Sequence, residues 1–410
     1  MIEWSEQHEM IRDAVRKFVE AEVKPNLHEL EHGDLPPYDI LRKLLRTFGM
    51  DEVAKQRFEK QMEREKARAN GAPKEEETRA SRAEGGDGVA MTLIPIIELC
   101  RYCPGMVTAM GVSMGLTSAA ILSRGTIAQK EKFALPLMTM EKIGAWAITE
   151  PGSGSDAFGG MQATARRDGD SYILKGNKTF ITNGPFADTI VFICKLDNGT
   201  DRKDRKVVSF ILDKGTPGLV QSKPMRKMGM HSSPTGELFL DDVRVGKDRL
   251  IGETEDNPGR SGAKDTFSME RAGVAAMALG MVEQCIMLCV NYAKTRVAFG
   301  RPIGEFQLIQ LKLAKMEVAR MNIQNIVFRQ IELAQQGKSP TFAEASACKL
   351  YAAQATMDVC LEAVQLFGGN GYMSEFQVEQ LARDAKVLQI YGGTDEIQIS
   401  QIARNMLAGR

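Results

Sequence analysis

The chain has 410 residues, 43% hydrophobic and 26% charged, with Lys+Arg and Asp+Glu at 53 each. That length asks for two or three structural units around large cores, and the even charge gives no field that would draw nucleic acid or an acidic membrane. Seven scattered cysteines, an odd number, exclude a disulfide framework and indicate a reducing compartment.

Residues 5–50 read as helices. Ser5 caps a segment with Ile11, Val15, Phe18 and Val19 on one face, and Pro36-Pro37 breaks the pattern before Leu41, Leu44 and Leu45 resume it. Residues 51–87 are heavily charged, with pairs at helical spacing such as Lys55/Glu59 and Glu75/Arg79, and Gly71-Ala72-Pro73 interrupts them. They read as a solvated helical excursion or mobile insertion rather than a binding element.

Residues 89–141 return to helix. Cys100-x-x-Cys103 has no second pair, and the four His show no ligand spacing, so no metal site is expected. The N-terminus is neither a signal nor a transit peptide, and nothing approaches the roughly eighteen consecutive apolar residues of a membrane span. A soluble, cytoplasmic protein without membrane or nucleic-acid partners is expected.

Residues 142–247 are β-rich. Ala145-Trp146-Ala147-Ile148 reads as a buried strand, and Thr149-Glu150-Pro151-Gly152-Ser153-Gly154-Ser155-Asp156-Ala157 as the loop after it. Gly152-x-Gly154-x-x-Ala157 fits a dinucleotide fingerprint, which needs a helix directly afterwards and an acidic residue closing a βαβ unit. Gly159-Gly160 follow at once and strands come next, so the Rossmann reading is rejected. Tyr172–Lys175 and Lys178–Ile181 flank Gly176-Asn177, a two-residue hairpin signal. Val191–Ile193, Val207–Leu212 and Leu238–Leu240 are further strands, and connections too short for crossover helices predict antiparallel sheets.

From Thr266 onward helix returns. Val274, Met277, Ala278, Met281, Val282, Cys285, Leu288, Cys289 and Tyr292 keep one stripe at three- and four-residue steps, and four long helices would pack as a bundle. The fold class is therefore α+β. It has a helical domain over 1–141 (51–90 being the charged insertion), an antiparallel β domain over 142–247 and a helical bundle over 248–410.

Three motifs carry a resemblance. Ile148-Thr149-Glu150-Pro151-Gly152-Ser153-Gly154-Ser155-Asp156 resembles the first signature of the acyl-CoA dehydrogenase family. Gln365-x-x-Gly368-Gly369-Asn370-Gly371-Tyr372, with Asp384 in its last acidic place, is similar to the second, although Gln380 stands where Lys or Arg is usual. The closing run Gln389–Ile397 is family-like, as is Arg296-x-x-Phe299-Gly300 followed by Gln307. The resemblance spans nearly the whole chain except 51–90, where the family's Pro/Glu/Gly-Gly segment is missing.

The resemblance implies FAD as cofactor and α,β-dehydrogenation of an acyl-CoA, with electrons passing to an electron-transferring flavoprotein. Trp146, Ile148 and Thr149 would contact the isoalloxazine edge, and Ser155 the pyrophosphate or the pantetheine. Phe180 and Thr182 stand where the family has Trp-x-Thr, so stacking surface is kept and an indole N–H is lost. Arg296 would fork onto the FAD pyrophosphate of a neighbouring subunit, while Gln307, Gln365 and Gly369 line its adenosine. Gly154, Phe299, Gly368, Thr394 and Glu396 complete the cofactor set. Phe267, Arg271, Tyr391 and Gly393 join Ser155 at the substrate. A flavin shared in this way implies at least a homodimer, and a tetramer is usual in the family.

Many members carry their base just before Gly-Thr in the closing run, where this chain has Gly392. The long-chain and isovaleryl branches place it in a Glu-Arg pair on a helix, which Ser268-Met269-Glu270-Arg271 matches. Glu270 is therefore the expected catalytic base, with the Gly392 N–H bonding the thioester carbonyl. The plain reading of Glu270 is a first-turn carboxylate favoured by the helix dipole. Two other functions remain open: an acyl-CoA oxidase or flavin monooxygenase of the same architecture, and a silent flavin-holding subunit of a hetero-oligomer.

Overall fold

A computed structural model describes residues 3–71, 79–256 and 259–409, with the side chains of 79–86, 259–270 and 272 outside the description. The N-terminal helices are α1 (Glu6–Phe18), α2 (Leu27–His32), α3 (Tyr38–Thr47), α4 (Met50–Ala69), α5 (Arg79–Cys100), α6 (Pro104–Met110), α7 (Ser118–Arg124), α8 (Ile127–Gln129) and α9 (Leu135–Met138). Strands β1 (Gly144–Ala147), β2 (Thr164–Asp168), β3 (Ser171–Thr182), β4 (Thr189–Asp197), β5 (Val207–Asp213), β6 (Leu219–Gln221) and β7 (Thr235–Gly246) follow. Helix α10 (Gly259–Thr295), a small hairpin of β8 (Val297–Ala298) and β9 (Arg301–Pro302), then α11 (Gln307–Gln335), α12 (Phe342–Phe367), α13 (Gln377–Leu388) and α14 (Asp395–Leu407) complete the chain.

Ser5 caps α1 as expected, its hydroxyl accepting from the His8 N–H at 3.2 Å. Val15, Phe18 and Val19 are buried. Within the charged excursion, α4 is docked rather than solvated. Phe58 and Met62 of α4 enter a core with Leu116, Ile121, Phe133, Leu137, Trp146 and Ile148. Two ion pairs, Lys66–Glu131 and Lys130–Glu65, flank them. Two apolar positions one turn apart suffice to seat a helix whose mean composition is polar, which is why charge counting misses it. Lys55 pairs with Glu52, not with Glu59, and Glu75 lies outside the described residues.

Seven strands form one sheet in the order β1-β4-β2-β3-β7-β6, with β5 also on β4. It is mixed, not antiparallel, because β1 and β2 both run parallel to β4. The β2–β3 pair itself supplies the crossover, so no helix is needed. β1 ends opposite Phe192 and β2 begins opposite Lys195, so the two lie end to end along one edge of β4. The loop from Ile148 to Ala163 leaves and re-enters the sheet at that break.

Gly176-Asn177 is not a hairpin. β3 runs through it and pairs with β7 on both sides, with a register shift between Leu174 and Gly176. Gly176 has φ +149°, and a Cβ there would stand 2.6 Å from the Ala163 side chain. The glycine marks a bulge where two strands approach closely.

One core joins the N-terminal helices to the C-terminal ones, running from Val15 and Leu44 through Ile97 to Met281, Ile323 and Cys360. α10 packs on α11, α12 and α13, and α5 fills a further place against α10 and α11. A second core fills the β domain around Phe192, Phe210 and Leu174. Pro104–Arg124 and Gly273–Thr295 are long and apolar enough to cross a membrane by composition, yet 61% and 67% of their most apolar windows are buried inside the protein. Small and hydroxyl residues interrupt their apolar runs, so counting consecutive residues overlooks them.

Candidate active site

The Glu150–Asp156 loop is built on one buried ion pair. The Lys178 ammonium, wholly buried, donates to the Glu150 carboxylate at 2.8 Å and to the Ile148 carbonyl at 3.0 Å. Glu150 also accepts from the backbone N–H groups of Gln162 at 2.6 Å and Ala163 at 3.0 Å. Burial pulls the Lys178 pKa below its usual range, and Glu150 opposes that shift. Reciprocal backbone bonds between Glu150 and Ser153 close the turn, leaving Gly154 and Ser155 exposed at its tip.

Trp146 and Ile148 are buried in the core beneath this loop. Thr149 is half-buried and its carbonyl accepts from the Thr179 N–H. Phe180 stands out from β3, 65% exposed, at φ +56°. Thr182 lies half-buried two residues on. A cavity of ≈ 740 Å³ opens beside the loop, lined among others by Gly152, Gln162, Asn177, Arg202 and Arg205.

A second group assembles at the far end of the bundle. Tyr292 of α10 stacks on Phe367 of α12 with ring centroids 4.1 Å apart, and the Asn370 amide donates to the Tyr292 hydroxyl at 3.0 Å. This contact brings the α10–α11 connection, with Arg296, Phe299 and Gln307, to the same end as Gln365, Gly368 and Gly369. All six are exposed, Phe299 at 95%.

The third group surrounds the turn before α14. The Arg271 guanidinium, 3% exposed, reaches from Nε to the Gly392 carbonyl at 3.5 Å. Its Nη1 donates to the Ser346 hydroxyl at 3.0 Å, and the group lies 4.1 Å from the centre of the Phe342 ring. Tyr391 donates its hydroxyl to the Met277 sulfur at 3.4 Å. Thr394 caps α14, and Glu396 in its first turn is held below the usual carboxylate range by its backbone N–H bond and the Thr394 hydroxyl. Glu270 and Phe267 lie on α10, with their side chains outside the described residues.

Arg271 lies in the first half of α10, and Arg296 directly follows its last residue, Thr295. At 1.5 Å per residue they stand about 37 Å apart along its axis, farther than one extended dinucleotide reaches. Within one chain, the bundle-end group and the Gly392 group cannot share a ligand.

Sequence reasoning missed the support behind these groups. Gln380, the departure from the second signature, is buried and bonds the Tyr102 carbonyl at 2.9 Å and the Asp384 carboxylate at 3.2 Å. Cys103 donates to the Ser232 hydroxyl at 3.0 Å, and among the described residues no cluster of His, Cys, Asp and Glu could hold a metal.

Family models agree with this architecture segment by segment. The N-terminal, middle and C-terminal domain models of acyl-CoA dehydrogenase match residues 5–53, 145–243 and 257–407. The chain belongs to the acyl-CoA dehydrogenase family, oxidoreductases acting on CH–CH donors. It is 36% identical over 408 residues to the 3-(aryl)acrylate reductase of Clostridium sporogenes, covering 98% of this chain and 99% of the relative. It is 39% identical over 329 residues to a short-chain specific acyl-CoA dehydrogenase of Megasphaera elsdenii, covering 80% and 84%. The butyryl-CoA dehydrogenase structure from the same organism superposes with a TM-score of 0.84 at 32% identity, covering 99% of this chain and 100% of that one.

Proposed function

We propose that this chain is an FAD-dependent acyl-CoA dehydrogenase that forms a trans-2-enoyl-CoA, with Glu270 as the base. One observation carries the reading: Arg271 bonds the Gly392 carbonyl, so the α10 segment holding Glu270 lies against the turn where Gly392 leaves no carboxylate. A base moved from the turn to α10 would serve the same space.

The residues fit a flavin. The exposed Phe180 ring offers a stacking face, and a Cβ added at Gly154, Gly368 or Gly369 would meet nothing within 4 Å, so ligand can approach the backbone closely. Trp146, Ile148, Thr149, Thr182 and Ser155 would hold the ring and its phosphates from the β domain. Arg296, Phe299, Gln307, Gln365, Gly368 and Gly369 of a second copy would take the adenosine end, which the separation along α10 supports. When bound, the flavin supplies the acceptor for the β-hydrogen as hydride, and an electron-transferring flavoprotein relieves it of electrons.

The chain's own part is proton chemistry. Glu270 takes the α-proton, and the Gly392 N–H polarises the thioester carbonyl as negative charge grows on its oxygen. The same exchange runs backwards in a reductase, the direction the Clostridium sporogenes relative's name describes. Direction rests on the flavin potential and the partner.

Anaerobic addition of acyl-CoAs from about four to twenty carbons to the FAD-loaded protein tests the reading. Flavin absorbance should bleach with one chain-length class, and Glu270→Gln should keep FAD while losing the bleaching. Bleaching retained in that variant refutes the base assignment. Rapid reoxidation by air points to an oxidase, and no bleaching with any thioester points to a silent subunit.

A further inference from the structure

One buried amide next to Thr182 takes no part in the proposed chemistry, yet every polar atom it has is used. Asn183 directly follows β3 and is 0% exposed. Its Nδ2 donates to the Ala109 carbonyl of α6 and to the Gly144 carbonyl of β1, each at 2.9 Å. Its Oδ1 accepts from the hydroxyl of Tyr38, the first residue of α3, at 3.0 Å. The Asn183 N–H donates to the Pro234 carbonyl at 2.7 Å. Its carbonyl accepts from the N–H groups of Phe186 at 2.9 Å and Ala187 at 2.8 Å. Burial first, then the charge of Asp188, pushes the Tyr38 phenol up, so it stays protonated and donates.

These bonds hold an unusual piece of backbone. Phe180 and Asn183 have φ +56° and +63°, left-handed values that few residues other than glycine adopt. The two bracket Ile181 and Thr182. β3 shifts register against β7 between Lys178 and Ile181, so the ladder grips this end only at Ile181 and Thr182. Ile181 is buried in the β-domain core, while Phe180 is exposed and Thr182 half-buried. Without its side-chain bonds Asn183 could leave the left-handed region, and that rotation would turn Thr182 relative to α6 and β1.

We propose that Asn183 and Tyr38 are positioning residues of the flavin site. The Asn183 side chain ties α3, α6 and β1 to the end of β3 and so holds the Thr182 hydroxyl toward the ring. This rests on the acyl-CoA dehydrogenase reading, which assigns Thr182 to the flavin.

The test is a double-mutant cycle on FAD affinity, measured by titrating the deflavinated full-length chain with FAD. Tyr38→Phe deletes one hydroxyl and leaves Asn183 Oδ1 buried without its donor; it should weaken FAD about tenfold. Thr182→Val should weaken FAD about tenfold, and the double variant about tenfold rather than a hundredfold, because both changes remove the same contact. If Tyr38→Phe does not fold, Asn183→Gly takes its place in the cycle, since glycine keeps the left-handed backbone and drops only the side-chain bonds. A loss of thermal stability with FAD affinity unchanged overturns the proposal, as do single losses that multiply in the double variant. Unchanged affinity in Thr182→Val also overturns it. A wild-type chain that takes up no FAD instead brings down the reading beneath it.

Discussion

Lys178 and Glu150 face each other at 2.8 Å with side chains 0% and 4% exposed, and the loop that carries the first family signature hangs on that contact. The pair ties the end of β1 to β3 and to the start of β2, adding to the β2–β3 ladder and the Thr179–Thr149 backbone bond at the break in the sheet edge. Replacing Lys178 by Met leaves a buried carboxylate with only two N–H donors. The expected loss is about 3–5 kcal/mol, measured by denaturant unfolding, with weaker FAD retention. A Lys178→Met/Glu150→Leu double variant should recover part of that loss, because no unpaired charge remains.

Asp384 and Glu31 form a second buried acidic pair, at the junction of α2, α13 and the 225–234 segment. Burial first, then the charge of Glu31, pushes Asp384 up to about 7, against the N–H of Met230, the Gln380 amide and the Arg383 charge. Burial likewise raises Glu31, opposed by Cys103 and Ser232. His231, Lys227 and His32 border the same space. A carboxyl raised in the native state binds its proton more tightly than in the unfolded chain. Its stabilising contribution is complete below the ordinary aspartate range and disappears as pH rises through about 7. The melting temperature should therefore fall between about pH 4 and pH 7, and Asp384→Asn should flatten that slope; an equal slope in the variant contradicts the assignment.

Gly280 sets the distance between α5 and α10. A Cβ there would lie 2.0 Å from the Ile97 carbonyl oxygen, a backbone atom that cannot turn aside. Gly280→Ala should cost about 1–3 kcal/mol or more by thermal unfolding. Gly273→Ala, on the same helix with nothing within 4 Å, should gain about 0.5–1 kcal/mol.

Arg296 is exposed at the bundle end, about 37 Å along α10 from Arg271. If a partner's flavin lies there, Arg296→Ala weakens FAD retention about tenfold in dilution or dialysis while the monomer's melting in the absence of FAD stays put. Unchanged FAD content would remove the cross-subunit contact from the proposed function.

Much of this was legible from residues alone. Local patterns set the helices, since the stripe from Val274 to Tyr292 and the cap at Ser5 depend only on neighbours within a turn or two. The glycine and hydroxyl loop after Trp146, and the absence of a helix behind it, excluded a Rossmann unit by the same local logic. What depends on distant partners was not legible. The parallel pairing of β1 with β4, the bulge at Gly176, the docking of α4 through Phe58 and Met62, and the meeting of Arg271 with Gly392 each join residues far apart in the chain. A sequence prescribes which surfaces are apolar and which groups are charged; which of them come face to face is settled only when burial and hydrogen bonding are satisfied together, and that happens in three dimensions.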